Sequence, residues 1–138
     1  MEAVRSKKGA LLLDDTYNAS PESMLAALNL LHELDGRKIA VLGDMLELGP
    51  YEHHGHQIVG IRAAEVVDEL ITVGELAHSI AAAARKVGLA SNVITELENT
   101  EQAIAFLEDR LEAGDVVLIK GSHAMQMDRI VSALESRA

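Results

Sequence analysis

The sequence predicts an α/β domain built on a Rossmann-like, mostly parallel sheet of about six strands with helices on both faces. Short, wholly apolar runs alternate with longer segments in which apolar residues recur at helical spacing. Strands that are apolar on both sides are typical of parallel sheets, whose two faces are covered by helices. The chain has 138 residues, which fits a single domain. With one Phe, two Tyr and no Trp, its core must be aliphatic.

Five apolar runs predict strands, and each is followed by polar residues or glycine. The runs cover residues 10–13, 39–42, 70–73, 93–94 and 116–119, of which the fourth is the weakest. Residues 2–5 precede the first run, and the turn between them contains Gly9, so these segments predict a β-hairpin. The hairpin adds one antiparallel strand at the edge of the sheet.

In the segments between these runs, apolar residues recur at helical spacing and predict helices. The first helix is predicted to begin after Ser20, a favoured N-cap residue, with Pro21 at its first position, and to end before Gly36. The next helix contains Gly60, which weakens its helical pattern, and a later one is predicted to open at Thr100. Beyond the first helix, the predicted helices cover residues 54–67, 76–87, 100–113 and 127–134.

The composition narrows the class of function. Acidic residues number 22 against 12 Lys and Arg, giving a net charge of −10, and such a surface repels nucleic acid. No apolar run approaches the roughly 20 residues of a membrane helix, and no signal-peptide pattern follows Met1. Because cysteine is absent, disulfides and cysteine-type zinc sites are excluded. We therefore expect a cytoplasmic domain with neither a nucleic-acid nor a membrane partner.

Candidate ligand-binding residues follow the first two apolar runs, at the edge where open parallel sheets bind ligands. Asp15 follows the first run, and its carboxylate can accept hydrogen bonds from ribose hydroxyls, while Asn18 can both donate and accept. Asp44 follows the second run. Each of these residues is also suited to a turn or a helix cap, so the set is more informative than any one member.

A second candidate segment, Lys120-Gly121-Ser122, follows the last apolar run and precedes the last predicted helix. A lysine, a hydroxyl and backbone N–H groups at a helix N-terminus predict a site for phosphate or carboxylate. Neither a GxxxxGK[ST] loop nor a GxGxxG loop occurs. We therefore do not expect the chain to hold a triphosphate unaided.

His53, His54 and His56 lie close together in the sequence and raise the question of a metal site. Their spacing is unsuited to shared ligation on a helix, where residues i and i+4 share a face. The HExxH pattern is absent as well. We therefore interpret them as exposed histidines near the start of a helix and predict no metal site.

Three segments resemble one known family. They are DDTYNASPESMLAAL at 14–28, VLGDMLELG at 41–49 and LIKGSHAMQMDRIV at 118–131. They resemble the C-terminal domain of the Mur ligases, in the branch that joins D-alanyl-D-alanine to UDP-N-acetylmuramoyl-tripeptide. The resemblance spans nearly the whole chain, with the three motifs in the family's order and spacing, so we expect residues 1–138 to form one such domain.

The resemblance implies a three-domain enzyme of peptidoglycan synthesis that uses ATP and Mg²⁺. One domain holds the UDP-sugar, a central one carries the ATP phosphate loop, and a Rossmann-like C-terminal one closes over both. ATP phosphorylates the carboxylate of UDP-N-acetylmuramoyl-tripeptide, and the amine of D-alanyl-D-alanine then attacks the acyl phosphate. Since only the C-terminal domain is represented here, we expect the chain alone to be inactive.

The resemblance also assigns residues. Asp15 matches an acidic residue that contacts the nucleotide ribose, and Asn18 and neighbouring Tyr17 lie on the same nucleotide side. The dipeptide side is expected to comprise Lys120, Gly121, Ser122 and Asp44, with Lys120 pairing with the dipeptide carboxylate. His56 coincides with a histidine that is usual in the family and has no assigned role.

Two positions depart from the family pattern, and two other readings stay open. His123 stands where an arginine is usual, and Asp128 where a glutamate is usual. A receiver-like phosphoacceptor domain also has paired aspartates and a lysine, but it needs an aspartate where this chain has Gly74-Glu75. A stand-alone, non-catalytic binding domain is the other alternative.

Overall fold

The computed structural model describes residues 1–136, which fold around one six-stranded sheet in the order β1-β2-β6-β3-β4-β5. The first two strands form the predicted antiparallel hairpin, and the other neighbours are parallel. The strands are β1 (Glu2–Arg5), β2 (Leu11–Asp15), β3 (Arg37–Gly43), β4 (Glu69–Val73), β5 (Ile94–Leu97) and β6 (Asp115–Lys120). The predicted fold class is confirmed.

Five helices cover the two faces of the sheet. They are α1 (Pro21–Glu33), α2 (Glu52–Val66), α3 (His78–Lys86), α4 (Thr100–Leu107) and α5 (Asp128–Leu134). The first three pack on one face and the last two on the other, each layer with its own aliphatic cluster. Among residues 1–136, no helix combines the length and apolar character needed to cross a bilayer.

The start of α1 follows from its local sequence, as predicted. Ser20 is the N-cap, and its hydroxyl accepts from the Ser23 backbone N–H at 3.1 Å, while the Ser23 hydroxyl accepts from the Ser20 N–H at 2.9 Å. This reciprocal capping box, with Pro21 in the first turn, fixes where the helix begins. The segment that precedes it, residues 15–19, is therefore anchored at its far end.

The end predicted for α4 is wrong. The helix begins at Thr100 with Asn99 as its cap, but it stops at Leu107 instead of continuing toward Gly114. The turn that follows Leu107 is held by a tertiary contact, because Arg110 donates to Glu69 Oε2 at 3.0 Å, 41 positions away in the chain. Before α5, residues His123–Met125 form a short 3₁₀ turn.

Gly60 lies where α2 and α3 approach most closely. A Cβ at this position would meet the backbone carbonyl of Ile80 and, at 2.9 Å, the methyl of Ala83. The residue that weakened the helical pattern of α2 therefore lets two helices pack with their backbones nearly in contact.

Candidate functional site

The carboxyl ends of β2 and β6 lie side by side and carry an ion pair whose ammonium group is buried. Lys120 Nζ donates to Asp15 Oδ2 at 2.8 Å and to the Asn18 carbonyl oxygen at 2.9 Å. Lys120 is only 2% exposed, whereas the Asp15 side chain is 23% exposed. The ammonium group thus joins the end of β2 to the Asn18 backbone in the segment between β2 and α1, and the carboxylate remains open to solvent on one side.

Within that segment, other polar groups are turned toward the backbone. Asp14 accepts from the hydroxyl of Thr16 at 2.7 Å, and Asn18 Oδ1 accepts from the following Ala19 N–H at 2.9 Å. The Tyr17 ring is 82% exposed and lies 5.6 Å from the His123 ring, centroid to centroid. The segment therefore presents an aromatic ring and a carboxylate outward while its backbone is fixed.

A groove of about 560 Å³ runs from this segment along α1. It is lined by Asp15, Tyr17, Asn18, Lys120 and by one face of α1, namely Ser23, Ala26, Ala27 and Leu30. Sequence reasoning treated α1 only as a helix packed on the sheet and missed its part in this groove. The available signal was Leu30, an apolar residue that does not fit the buried stripe and is 44% exposed.

Asp44, predicted to lie at the site, is turned inward. Its Oδ1 accepts from the Ala77 N–H at 2.8 Å, and its backbone carbonyl accepts from the Ser122 N–H at 3.0 Å. Burial raises the pKa of Asp44, an effect that the hydrogen bond from Ala77 opposes. Gly74 has a φ of 109°, and because it has no side chain it leaves room for this carboxylate. Asp44 thus links the ends of three strands.

The segment Lys120-Gly121-Ser122 leads into the 3₁₀ turn at His123–Met125, which separates it from the N-terminus of α5 at Asp128. Gly121 approaches Gly43 closely, since a Cβ on Gly121 would lie 3.3 Å from the Gly43 Cα. The Ser122 hydroxyl is buried and has no hydrogen-bond partner within residues 1–136.

The prediction that three neighbouring histidines are exposed is correct for His53 and His54 and wrong for His56. His53 and His54 are exposed, but His56 is 1% exposed and both of its ring nitrogens have partners. Across the described part of the chain, no group of three or more His, Cys, Asp or Glu side chains is arranged to hold a metal ion. The prediction of exposure fails for His56 because it lies on the face of α2 that packs against the sheet.

A comparison with protein families decides the classification. The family described as "Mur ligase, glutamate ligase domain" matches residues 1–123. This chain belongs to the Mur ligase family. The resemblance predicted from the three motifs is confirmed, and the receiver-like alternative receives no support.

Individual relatives of this Mur ligase domain point to one branch. The UDP-N-acetylmuramoyl-tripeptide–D-alanyl-D-alanine ligase of Bacillus subtilis is 36% identical over 97% of this chain, which spans 30% of that protein. The crystal structure of MurF ligase from Thermotoga maritima in complex with ADP aligns with a TM-score of 0.77 and 34% identity over 94% of this chain. MurF from Acinetobacter baumannii aligns with a TM-score of 0.79 and 30% identity over 95%. In each structure the chain covers 29% of the neighbour.

Proposed function

We propose that this chain is the C-terminal domain of an ATP-dependent, cytoplasmic ligase that joins D-alanyl-D-alanine to UDP-N-acetylmuramoyl-tripeptide. The observation that carries the proposal is the Lys120–Asp15 pair at the carboxyl edge of the sheet, where a half-exposed segment is held rigidly. Relatives with that activity match this chain over nearly its full length. The UDP-sugar and central ATP-binding domains are proposed to belong to the same protein or complex.

The proposed reaction assigns this domain a positioning role. ATP transfers a phosphoryl group to the tripeptide carboxylate, and the dipeptide amine displaces phosphate to form an amide. Closing a domain over the reactants orients them and excludes water, which supplies much of such catalysis. We propose, from the family resemblance, that Mg²⁺ is held mainly by the central ATP-binding domain.

On the nucleotide side, we assign Asp15, Tyr17 and Asn18. The open side of the Asp15 carboxylate is suited to accept from ribose hydroxyls, and the exposed Tyr17 ring can cover a flat group in the groove along α1. The solved Thermotoga maritima relative was crystallised with ADP, which supports a nucleotide as the ligand of this family branch.

On the dipeptide side, we assign Ser122, Gly121 and Asp44, with Lys120 between the two sides. The unpartnered Ser122 hydroxyl has hydrogen-bonding capacity to offer. Because Lys120 is buried against Asp15, its geometry favours orienting the nucleotide-side segment over pairing directly with a dipeptide carboxylate. Asp44 acts through the backbone it fixes.

A chimeric ligase tests the proposal. The chain replaces the matching region of the Bacillus subtilis ligase, and ADP release is measured with and without D-alanyl-D-alanine. The control carries Asp15→Ala in the same chimera. We expect dipeptide-dependent turnover that the control loses by about tenfold or more, because positioning groups contribute effects of this size. A well-folded chimera without turnover would favour a binding domain with no part in catalysis.

A further inference from the structure

His56 is a buried imidazole to which the proposed reaction assigns no role. It lies in the first turns of α2 and is 1% exposed. Its ring contacts the start of residues 44–48, the connection that leads from β3 toward α2 and is called here the β3–α2 loop. A histidine in such a place either fills space or fixes the backbone beside it.

The two hydrogen bonds of the ring determine where its proton lies. The Met45 backbone N–H lies 3.0 Å from Nε2, and because an amide N–H can only donate, Nε2 must accept. Nδ1 lies 2.6 Å from the carbonyl oxygen of Glu52, which can only accept, so Nδ1 carries the hydrogen. The fold therefore requires a neutral imidazole protonated on Nδ1.

The same backbone is held from two other directions. The Asp44 carboxylate accepts from the Ala77 N–H, and the Asp44 carbonyl accepts from the Ser122 N–H. The base of the β3–α2 loop is thus joined to α2, to the start of α3 and to the segment after β6. His56 supplies the bond to α2, and without it the Met45 N–H would lose its partner in a buried position.

Beyond this fixed base, the β3–α2 loop presents groups outward. Leu46 is 39% exposed, and Glu47 has a φ of 62°, a left-handed conformation that is unfavourable for residues other than glycine. Such a conformation persists only where the surrounding structure determines it. The loop therefore combines a constrained tip with a base fixed by buried hydrogen bonds, as expected of a segment that contacts a ligand.

We propose that His56 is a positioning residue whose Nε2 acceptor fixes the β3–α2 loop, and with it Asp44 and Ser122, in the arrangement that receives the dipeptide. The inference rests on the proposed function. It concerns geometry and not proton transfer, because both ring nitrogens are occupied by backbone groups beneath the loop.

The polarity of the hydrogen bonds is tested by long-range ¹H–¹⁵N NMR on the 138-residue chain at neutral pH. We expect Nδ1 to show the shift of a protonated nitrogen and Nε2 that of an unprotonated one, and the Met45 amide to exchange slowly. A ring protonated on Nε2, or on both nitrogens, would overturn the inference.

The effect on function is tested in the chimeric ligase with matched variants. His56→Gln keeps an acceptor near the Nε2 position, His56→Leu keeps bulk without one, and His54→Gln is a control at an exposed position of the same helix. We expect His56→Leu to raise KM for D-alanyl-D-alanine about tenfold, with KM for ATP unchanged, and His56→Gln to stay within about threefold of wild type.

Different outcomes separate the inference from the proposed function. Equal effects of His56→Leu and His56→Gln on KM for the dipeptide would indicate a merely structural role and overturn the inference. Equal rises in KM for the dipeptide and KM for ATP would do the same. An unchanged KM for the dipeptide in His56→Leu would also overturn it. If that variant does not fold, His56→Asn, which keeps a polar group only near Nδ1, replaces it. A wild-type chimera without turnover counts against the proposed function, and the NMR result still decides whether His56 holds the loop.

Discussion

Lys120 carries its charge in a place with almost no access to water. A buried ammonium group is unfavourable unless opposite charge and hydrogen bonds compensate it, and Asp15 and the Asn18 carbonyl provide both. Removing the ammonium group leaves the carboxylate without its partner and the segment before α1 without its anchor. The residue proposed to bind ribose is therefore oriented by a side chain 105 positions away in the chain.

Replacing Lys120 distinguishes its two possible roles. In the chimeric ligase, Lys120→Met is expected to raise KM for ATP about tenfold or more, with a smaller effect on KM for the dipeptide. Lys120→Arg is the control, since it keeps the charge but changes the shape of the donor. The two KM values are measured separately. A rise confined to the dipeptide would favour direct pairing of Lys120 with the dipeptide carboxylate.

Asp44 is expected to matter through its hydrogen bond and not its charge. Asp44→Ala leaves the buried Ala77 N–H without an acceptor and should lower the free energy of unfolding by about 1–3 kcal/mol, the usual cost of an unsatisfied buried donor. Asp44→Asn keeps an acceptor and removes a charge whose burial raises the pKa of the group. Urea unfolding of both variants is the measurement. A loss as large for Asn as for Ala would show that the charge is needed.

His78 joins the start of α3 to the end of β5. Its Nδ1 lies 2.7 Å from Glu96 Oε1 and its Nε2 lies 3.2 Å from Glu98 Oε1. The hydrogen bond to Glu96 raises the pKa of His78 above the usual 6.5, against a smaller opposing effect of burial. Because the pKa of His78 is higher in the folded state than in the unfolded state, its protonation stabilises the folded state. This stabilisation is fully present below the pKa of the unfolded state and is lost as the pH rises through the pKa of the folded state.

Stability should therefore decrease slightly as the pH rises from below about 6.5 through the raised pKa of His78. The effect is small because the side chain is 39% exposed and the pair is screened by solvent. His78→Gln should flatten this part of the profile, which urea unfolding at a series of pH values measures. Parallel profiles for the two proteins would contradict the prediction.

At the scale of elements, the contact between α2 and α3 depends on Gly60. Alanine is favoured over glycine within a helix by about 1 kcal/mol, but here a methyl group would meet the Ile80 carbonyl, which cannot move without moving α3. We expect Gly60→Ala to lower stability by about 1–3 kcal/mol, the usual range for overpacking. Thermal unfolding is the measurement.

Gly55 provides a matched control in the same helix. A methyl group there would meet only side-chain atoms of Pro21 and Leu48, at 2.9 and 3.0 Å. Because side chains adjust more easily than backbone, Gly55→Ala should cost clearly less than Gly60→Ala. Equal losses at both positions would show that the close approach of the two helices is not the cause.

The elements themselves followed largely from local sequence. Ser20 and Ser23 are three residues apart, so their capping box and the start of α1 can be read directly from the chain. The end of α4 could not be predicted in this way, because Arg110 in the turn that follows it pairs with Glu69, 41 positions away in the chain. The start of α5 was predicted to within one residue, but the 3₁₀ turn before it was not.

At the scale of the whole molecule, the proposed site is open to solvent. The groove along α1 and the segment before it lie on one edge of the sheet, and this chain spans about 30% of the ligases it resembles. We expect the chain alone to show no ATP-dependent ligation, because the reacting groups are positioned only when further domains close over this edge. ADP release by the purified chain with all substrates is the measurement, with the chimera as control. Turnover by the chain alone would contradict the proposal.

The sequence by itself determined the fold class and the position of nearly every element, and it predicted the edge of the sheet at which we propose that a ligand binds. Apolar runs and helical spacing are local patterns, and they were sufficient because a strand buried on both faces and a helix buried on one must each show them. The motifs also predicted the family correctly. The same information assigned Asp15 and Asn18 to a common segment.

Only the tertiary structure decided how the site residues contact one another. The placement of β6 between β2 and β3 brings Lys120 to Asp15 and the Ser122 N–H to Asp44. The burial of one face of α2 makes His56 an acceptor for Met45. These contacts join residues far apart in the chain or on different elements, and the order of strands and the facing of helices are set by the packing of the whole core, which no local pattern encodes.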